Sequence, residues 1–188
     1  MFRIAVLDAC VLYPVVLRDF FITLATAKLY EPRWTHAIHD EWIRSVIKNR
    51  PNITRENLLR VRQLMDEAVP QALINVLLPE AVVLPQLRDP NDKHVILAAI
   101  AAKAAAIVTF NLRDFPIETL KLFNITAIHP DDFVSDFTLT NPDQVLACLE
   151  LQRARFRNPP YSNDELLDIL EKRGLSRTVK NLRSMIPR

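Results

Sequence analysis

One glycine, Gly174, in 188 residues is the feature that most limits what this chain can fold into. Average usage near 7% would supply about 13. A phosphate loop built from backbone amides needs several glycines, so both the P-loop and the dinucleotide fingerprint are excluded. A sandwich or barrel of tight hairpins is disfavoured too, because two-residue turns rely on Gly or Asn-Gly. Thirteen prolines punctuate the chain instead. Any phosphate chemistry must therefore come from side chains.

The length suits one domain, or one domain with an appendage. Hydrophobic residues make up 49% and charged residues 24%, the balance of a globular chain. The net charge is only +2, but it is unevenly spread. Lys172, Arg173, Arg177, Lys180, Arg183 and Arg188 occur without an acid among them, and Arg44, Lys48, Arg50, Arg55, Arg60 and Arg62 surround a single Glu56. Such segments suit a polyanion partner or solvated helix faces. Cys10 and Cys148 fit no metal spacing or disulfide framework. No signal peptide is evident and no charge-free apolar run reaches membrane-spanning length, so a cytoplasmic protein with no membrane association is expected.

Ile4–Leu7 reads as a buried strand ending at Asp8. A helical period follows from Pro14 to about Tyr30, and a second helix runs from His36 to Ile47. Thr54 caps a third helix, with Leu58, Val61, Leu64, Met65 and Ala68 on one face. A short helix from Pro70 to near Leu78 and a strand at Ala81–Leu84 are expected next. Asp89-Pro90 signals the start of an alanine-rich helix reaching about Lys103. Strands at Ile107–Phe110 and Ile125–Ile128 complete an alternation that predicts a parallel α/β sheet with helices on both faces. Beyond Asn141 only helices are read, at Pro142–Phe156, Asp164–Arg173 and Arg177–Met185. The expected organisation is a domain over 1–140 and a helical extension over 141–188.

In a parallel sheet, ligands sit beyond the carboxyl ends of the strands. Asp8, Asp92 and Asp114 each follow a strand closely, and Glu41 lies in the first turns of the second helix. Singly, these could be a turn residue, a helix-dipole partner, an Asx-turn and a solvated face. Gathered at one sheet edge, four carboxylates would repel one another unless a divalent cation neutralised them. Oxygen-only ligation selects Mg²⁺ or Mn²⁺ over zinc, and such an ion suits in-line displacement at phosphorus.

The order Ala5-Val6-Leu7-Asp8-Ala9-Cys10, Asp40-Glu41-Trp42, Asp89-Pro90-Asn91-Asp92-Lys93-His94 and Val108-Thr109-Phe110-Asn111-Leu112-Arg113-Asp114 resembles a PIN domain of the VapC-like bacterial toxin type, over about residues 2–130. The resemblance implies a three-layer α/β/α fold around a central parallel sheet of about four strands. It also implies a metal-dependent endoribonuclease, the toxin of a toxin–antitoxin pair, acting on RNA with an antitoxin partner and as a homodimer. Asp8, Glu41, Asp92 and Asp114 match the family's acidic positions, and Asp89 competes with Asp92. Cys10 stands where the family carries Asn, Ser or Thr, and Asn111 where many members carry an acid. These departures leave open an impaired PIN domain that binds RNA or protein.

Thr109, Asn111 and Arg113 are accessory candidates, as a hydrogen-bond donor, a substitute for an acid and a phosphate contact respectively. Arg18 either pairs with Asp19 or faces the substrate backbone. His36 and His39, three residues apart, have no third nitrogen or sulfur ligand at metal spacing and read as helix surface. A receiver-like phosphoacceptor domain is excluded, because it needs an acidic pair after the first strand, whereas Ala9 and Cys10 follow Asp8.

Overall fold

The computed structural model of the protein describes residues 4–77 and 90–186. Four short parallel strands form one sheet: β1 (Ile4–Leu7), β2 (Glu31–Arg33), β3 (Ala106–Val108) and β4 (Thr126–Ile128), in the order β2-β1-β3-β4. The central strands are nearly continuous runs of buried apolar residues, as a sheet covered on both faces requires. The chain leaves β1 toward β2 on one side, and β3 and β4 lie on the other. The β1/β3 boundary is therefore the switch point where open α/β sheets bind ligands.

The helices are α1 (Ala9–Leu12), α2 (Val15–Thr26), α3 (His36–Asn49), α4 (Arg55–Ala68), α5 (Lys93–Ala101), α6 (Ile117–Lys121), α7 (Pro130–Thr140), α8 (Pro142–Arg155), α9 (Asn163–Lys172) and α10 (Ser176–Met185). Ala98 and Ala99 let α5 pack closely on β1 and β3. Thr54 caps α4 as expected, its hydroxyl accepting from the Asn57 amide.

Several sequence expectations need correcting. The helix from Pro14 stops at Thr26, where Lys28 takes φ +61° and turns the chain into β2. Pro32 hides that strand from sequence reading, yet it is tolerated because β2 pairs on one side only with β1. Residues 70–77 are not helical. Instead the Trp34 amide donates to the Ala72 carbonyl at 2.9 Å and Ile74 returns a bond to Trp34 at 3.0 Å, extending the sheet edge. The expected strand at Ala81–Leu84 and the Asp89 cap lie outside the described residues. Helix α7 was not anticipated. On α4, Leu58 and Met65 enter the core, whereas Leu64 is exposed.

The C-terminal helices share the main apolar core: Val145, Leu149, Leu166 and Leu182 belong to the same buried cluster as Val6 and Leu7. Polar ties reinforce the packing. Gln152 donates to the Val16 carbonyl at 2.7 Å, and Arg155 pairs with Asp19 at 2.9 Å. Both oxygens of the Asp131 carboxylate accept amides at the start of α10, from Arg177 and Thr178, each at 2.8 Å.

Candidate metal centre

Asp8 closes β1 with extended backbone geometry and makes no side-chain cap to α1. Its carboxylate turns across the sheet to β3. Thr109 Oγ1 donates to Asp8 Oδ2 at 2.6 Å, and the Cys10 thiol donates to the same oxygen at 3.1 Å. Thr109 is fully buried, and its hydroxyl also accepts the Asn111 amide at 3.0 Å. Burial pushes the Asp8 carboxyl up, against the lowering effect of the Thr109 and Cys10 bonds, and the Glu41 charge raises it further. Burial, with the neighbouring Asp8 charge, also pushes the Cys10 thiol up strongly. Cys10 therefore stays protonated and serves as a donor.

Beside this pair opens a cavity of about 660 Å³ lined by Ala37, Asp40, Glu41, Arg44, Asn91, Asp92, His94, Asn111 and Asp114. The α3 residues fall at helical spacing, so one face of that helix forms one wall. Asp92 stands at the entry to α5, and Asp114 in a short 3₁₀ turn after β3. The structure thus brings Glu41, Asp92 and Asp114 to one cavity. Asp8 is not on its lining, but the Glu41 charge raises the Asp8 pKa and the Asp8 charge raises that of His94. Arg113 is exposed and lies off the lining.

His94 is the residue that sequence reading passed over. Its Nδ1 lies 2.7 Å from the Asn91 carbonyl, which can only accept, so that nitrogen carries a proton. Nε2 sits 3.2 Å from Glu41 Oε2, a charge contact without hydrogen-bond alignment. In the neutral ring, Nε2 would turn a lone pair toward a carboxylate. Glu41 accordingly raises the His94 pKa, with burial opposing and the Asn91 carbonyl assisting. The available signal was its place two residues after Asp92, in the first turn of a helix aimed at the sheet edge.

Arg18 does not face the cavity. It is buried, donates to the Leu12 carbonyl at 2.8 Å and lies 4.8 Å above the Trp42 ring, and burial brings its pKa down to about 10. His39 is likewise no surface residue. It is fully buried between Trp42 Nε1, which donates to its Nδ1 at 3.0 Å, and Asp66, 3.1 Å from its Nε2.

An oxygen-rich wall at the switch point of a parallel sheet fits a hard divalent cation in donor chemistry. Among the described residues, no group of three or more His, Cys, Asp or Glu side chains closes around one point. The carboxylates stand apart around the cavity, and Glu41 lies against His94.

Sheet order and acidic switch point together define a PIN-type α/β domain, and the PIN domain family model matches residues 4–113. The chain belongs to the PIN domain family. A second model, the VapC50 C-terminal domain, matches residues 130–184. A relative from Mycobacterium tuberculosis (strain ATCC 25618 / H37Rv), called "Putative ribonuclease VapC50", is 38% identical over 80 residues, covering 43% of this chain and 47% of that protein. The chain thus matches about half the length of that curated relative. No solved structure shows a significant match. None of the described helices is long and apolar enough to cross a membrane.

Proposed function

We propose that the protein is a Mg²⁺- or Mn²⁺-dependent endoribonuclease, the toxin of a toxin–antitoxin pair, working in the cytoplasm as a homodimer restrained by a cognate antitoxin. The observation that carries this reading is the meeting of Glu41, Asp92 and Asp114, from three separate segments, on one open cavity beside the buried Asp8. The name of the Mycobacterium tuberculosis relative supports the same reaction class.

Asp8, Asp92 and Asp114 would hold the cation, and Glu41 would hold it or orient the attacking water. A bound divalent ion supplies an activated water and offsets charge on the transition-state oxygens. Thr109 and Cys10 keep Asp8 Oδ2 occupied and so fix the rotation of its carboxylate. Arg44, an exposed cation on the cavity wall, is placed to take an RNA phosphate, a contact that positions the strand without reading its sequence. The basic tail is less available than its charge suggests. Arg177 pairs with Asp132 and Arg183 with Asp168.

The test compares RNA cleavage by partner-free wild type and Asp92→Asn in Mn²⁺, Mg²⁺ or EDTA. Cleavage that requires metal and disappears with the substitution is expected. Absence of any such cleavage in the wild type overturns the enzyme reading and leaves an RNA- or protein-binding PIN domain. Independently, Mn²⁺ is expected to raise the melting temperature of wild type and not of Asp8→Asn.

A further inference from the structure

We propose that the C-terminal helical unit positions the Thr109–Asp114 loop, with the chain's single glycine as its point of contact. Phe110 lies between Thr109, which holds Asp8, and Asn111, which lines the cavity. Three restraints converge on it. Its amide donates to Cys10 Sγ at 3.3 Å, and its ring stands edge-on to His129, with centroids 5.1 Å apart and planes at 83°. The backbone of Gly174 comes so near that a Cβ there would lie 3.0 Å from Phe110 Cε1. Gly174 also takes φ +94°, which a side chain would strain.

The turn carrying Gly174 is anchored to the same corner that holds the ring. His129 Nδ1 accepts the Asp131 amide at 3.2 Å, and the Asp131 carboxylate accepts the Arg177 and Thr178 amides in the first turn of α10. Asp132 adds an ion pair to Arg177 at 2.8 Å. Phe110 is therefore gripped between the start of α7 and the α9–α10 turn, and Asp131 locks those two together. Displacing the ring carries the Phe110 backbone with it. That shifts Thr109 and Asn111 on either side and loosens the amide from Cys10. Gly174 is thus a positioning residue that acts through Phe110, and its effect on cleavage rests on the nuclease reading above.

The test is Gly174→Ala, read in two ways. In metal-free protein, exchange of the Phe110 amide with solvent deuterium is expected to speed up severalfold as its bond to Cys10 Sγ loosens. In the loaded enzyme, kcat for RNA is expected to fall roughly tenfold with KM little changed, the signature of misplaced reacting groups. Phe110→Leu, which shortens the gripped ring, moves both readouts in the same direction and serves if Gly174→Ala fails to fold. Leu58→Ala, a buried truncation in α4, is expected to lower the melting temperature while leaving both readouts near wild type. The proposal is overturned if Gly174→Ala and Phe110→Leu exchange and cleave as wild type does, or if Leu58→Ala reproduces their effects. Should the wild type prove unable to cleave RNA, the nuclease reading falls, and the Phe110 amide exchange rate still decides whether the brace exists.

Discussion

Helix α3 presents a carboxylate–histidine pair in two places, and the two pairs are opposites. At the cavity, His94 faces Glu41, both partly open to solvent, with the His94 Nε2 unaligned for a hydrogen bond. Under α4, His39 faces Asp66 in a closed circuit. Trp34 Nε1 donates to Asp66 Oδ1 at 2.8 Å and Trp42 Nε1 donates to His39 Nδ1, so the remaining ring proton must sit on Nε2 and point at Asp66. That wiring fixes His39 as neutral, and burial accordingly holds its pKa below the usual value despite the nearby Asp66 charge. At His94 the fixed proton is on the other nitrogen, and the carboxylate raises the pKa instead. Where every polar atom is satisfied, the pair is part of the scaffold. At the cavity, by contrast, the His94 Nε2 is left without an aligned partner.

The sharpest way to break this distinction is to remove one carboxylate from each region. At the cavity, Asp8→Asn is expected to lower cleavage by roughly a hundredfold or more, beyond the loss usual for outer-sphere residues of a metal site. The melting temperature of the metal-free protein should stay level or rise, because burial already disfavours the charged form of Asp8. Thermal unfolding in EDTA beside a cleavage assay decides it; a marked drop in melting temperature would make Asp8 a structural carboxylate. In the scaffold, Asp66→Ala strands the Trp34 and His39 donors together. Each buried unsatisfied group costs about 1–3 kcal/mol, and the partial exposure of Asp66 limits the sum to roughly 2–3 kcal/mol of stability. Urea unfolding measures that loss. A neutral result there would mean that the circuit contributes nothing to holding α4.

Trp42→Phe is a smaller probe of the same circuit. It leaves a six-membered ring beneath Arg18 and removes both the donor to His39 Nδ1 and part of a fully buried side chain. A loss of about 2 kcal/mol is expected in urea unfolding, about half from the stranded His39 acceptor and about half from the cavity. With that donor gone, Nδ1 is free to take a proton, so a loss well above the expected value would show the circuit acting as a unit rather than bond by bond.

The distinction between the two pairs was only half legible in the sequence. Asp8 could be placed because it directly follows a strand end, Asp92 because it opens a helix and Asp114 because it lies a few residues after a strand, and strand ends at a parallel sheet's edge are defined by local pattern. Glu41 was the weakest of the four taken singly, since its neighbours look like an ordinary charged helix face, and it rested on the joint placement of the acids and on the family resemblance. His39 was misread as surface for a related reason. Its burial depends on Trp34 and Asp66, and Asp66 lies 27 residues further along the chain. Helical periodicity reports which face is apolar but not which polar residue will find a partner across a groove. Strand β2 was hidden by Pro32, and its edge position could only be known once the sheet order was known. The lone glycine was read as excluding phosphate loops. Its placement against Phe110 depends on a contact between residues far apart in sequence and could not be inferred from composition.

The finest test of the comparison is His94→Ala. If Glu41 is held aside by His94, an incoming cation must displace that contact before Glu41 can turn toward Asp92 and Asp114. Removing the imidazole should then tighten Mn²⁺ binding, measured by titration calorimetry on the metal-free protein. The gain is bounded by the worth of a partly exposed ion pair, up to about 1 kcal/mol, or roughly fivefold in affinity. Asp66 offers the control, because no metal would displace His39 from it: Asp66→Ala should change Mn²⁺ affinity only as far as unfolding does. Weaker binding in His94→Ala would mean that the imidazole helps to hold the ion, and the contrast between the two pairs would then lie in burial alone.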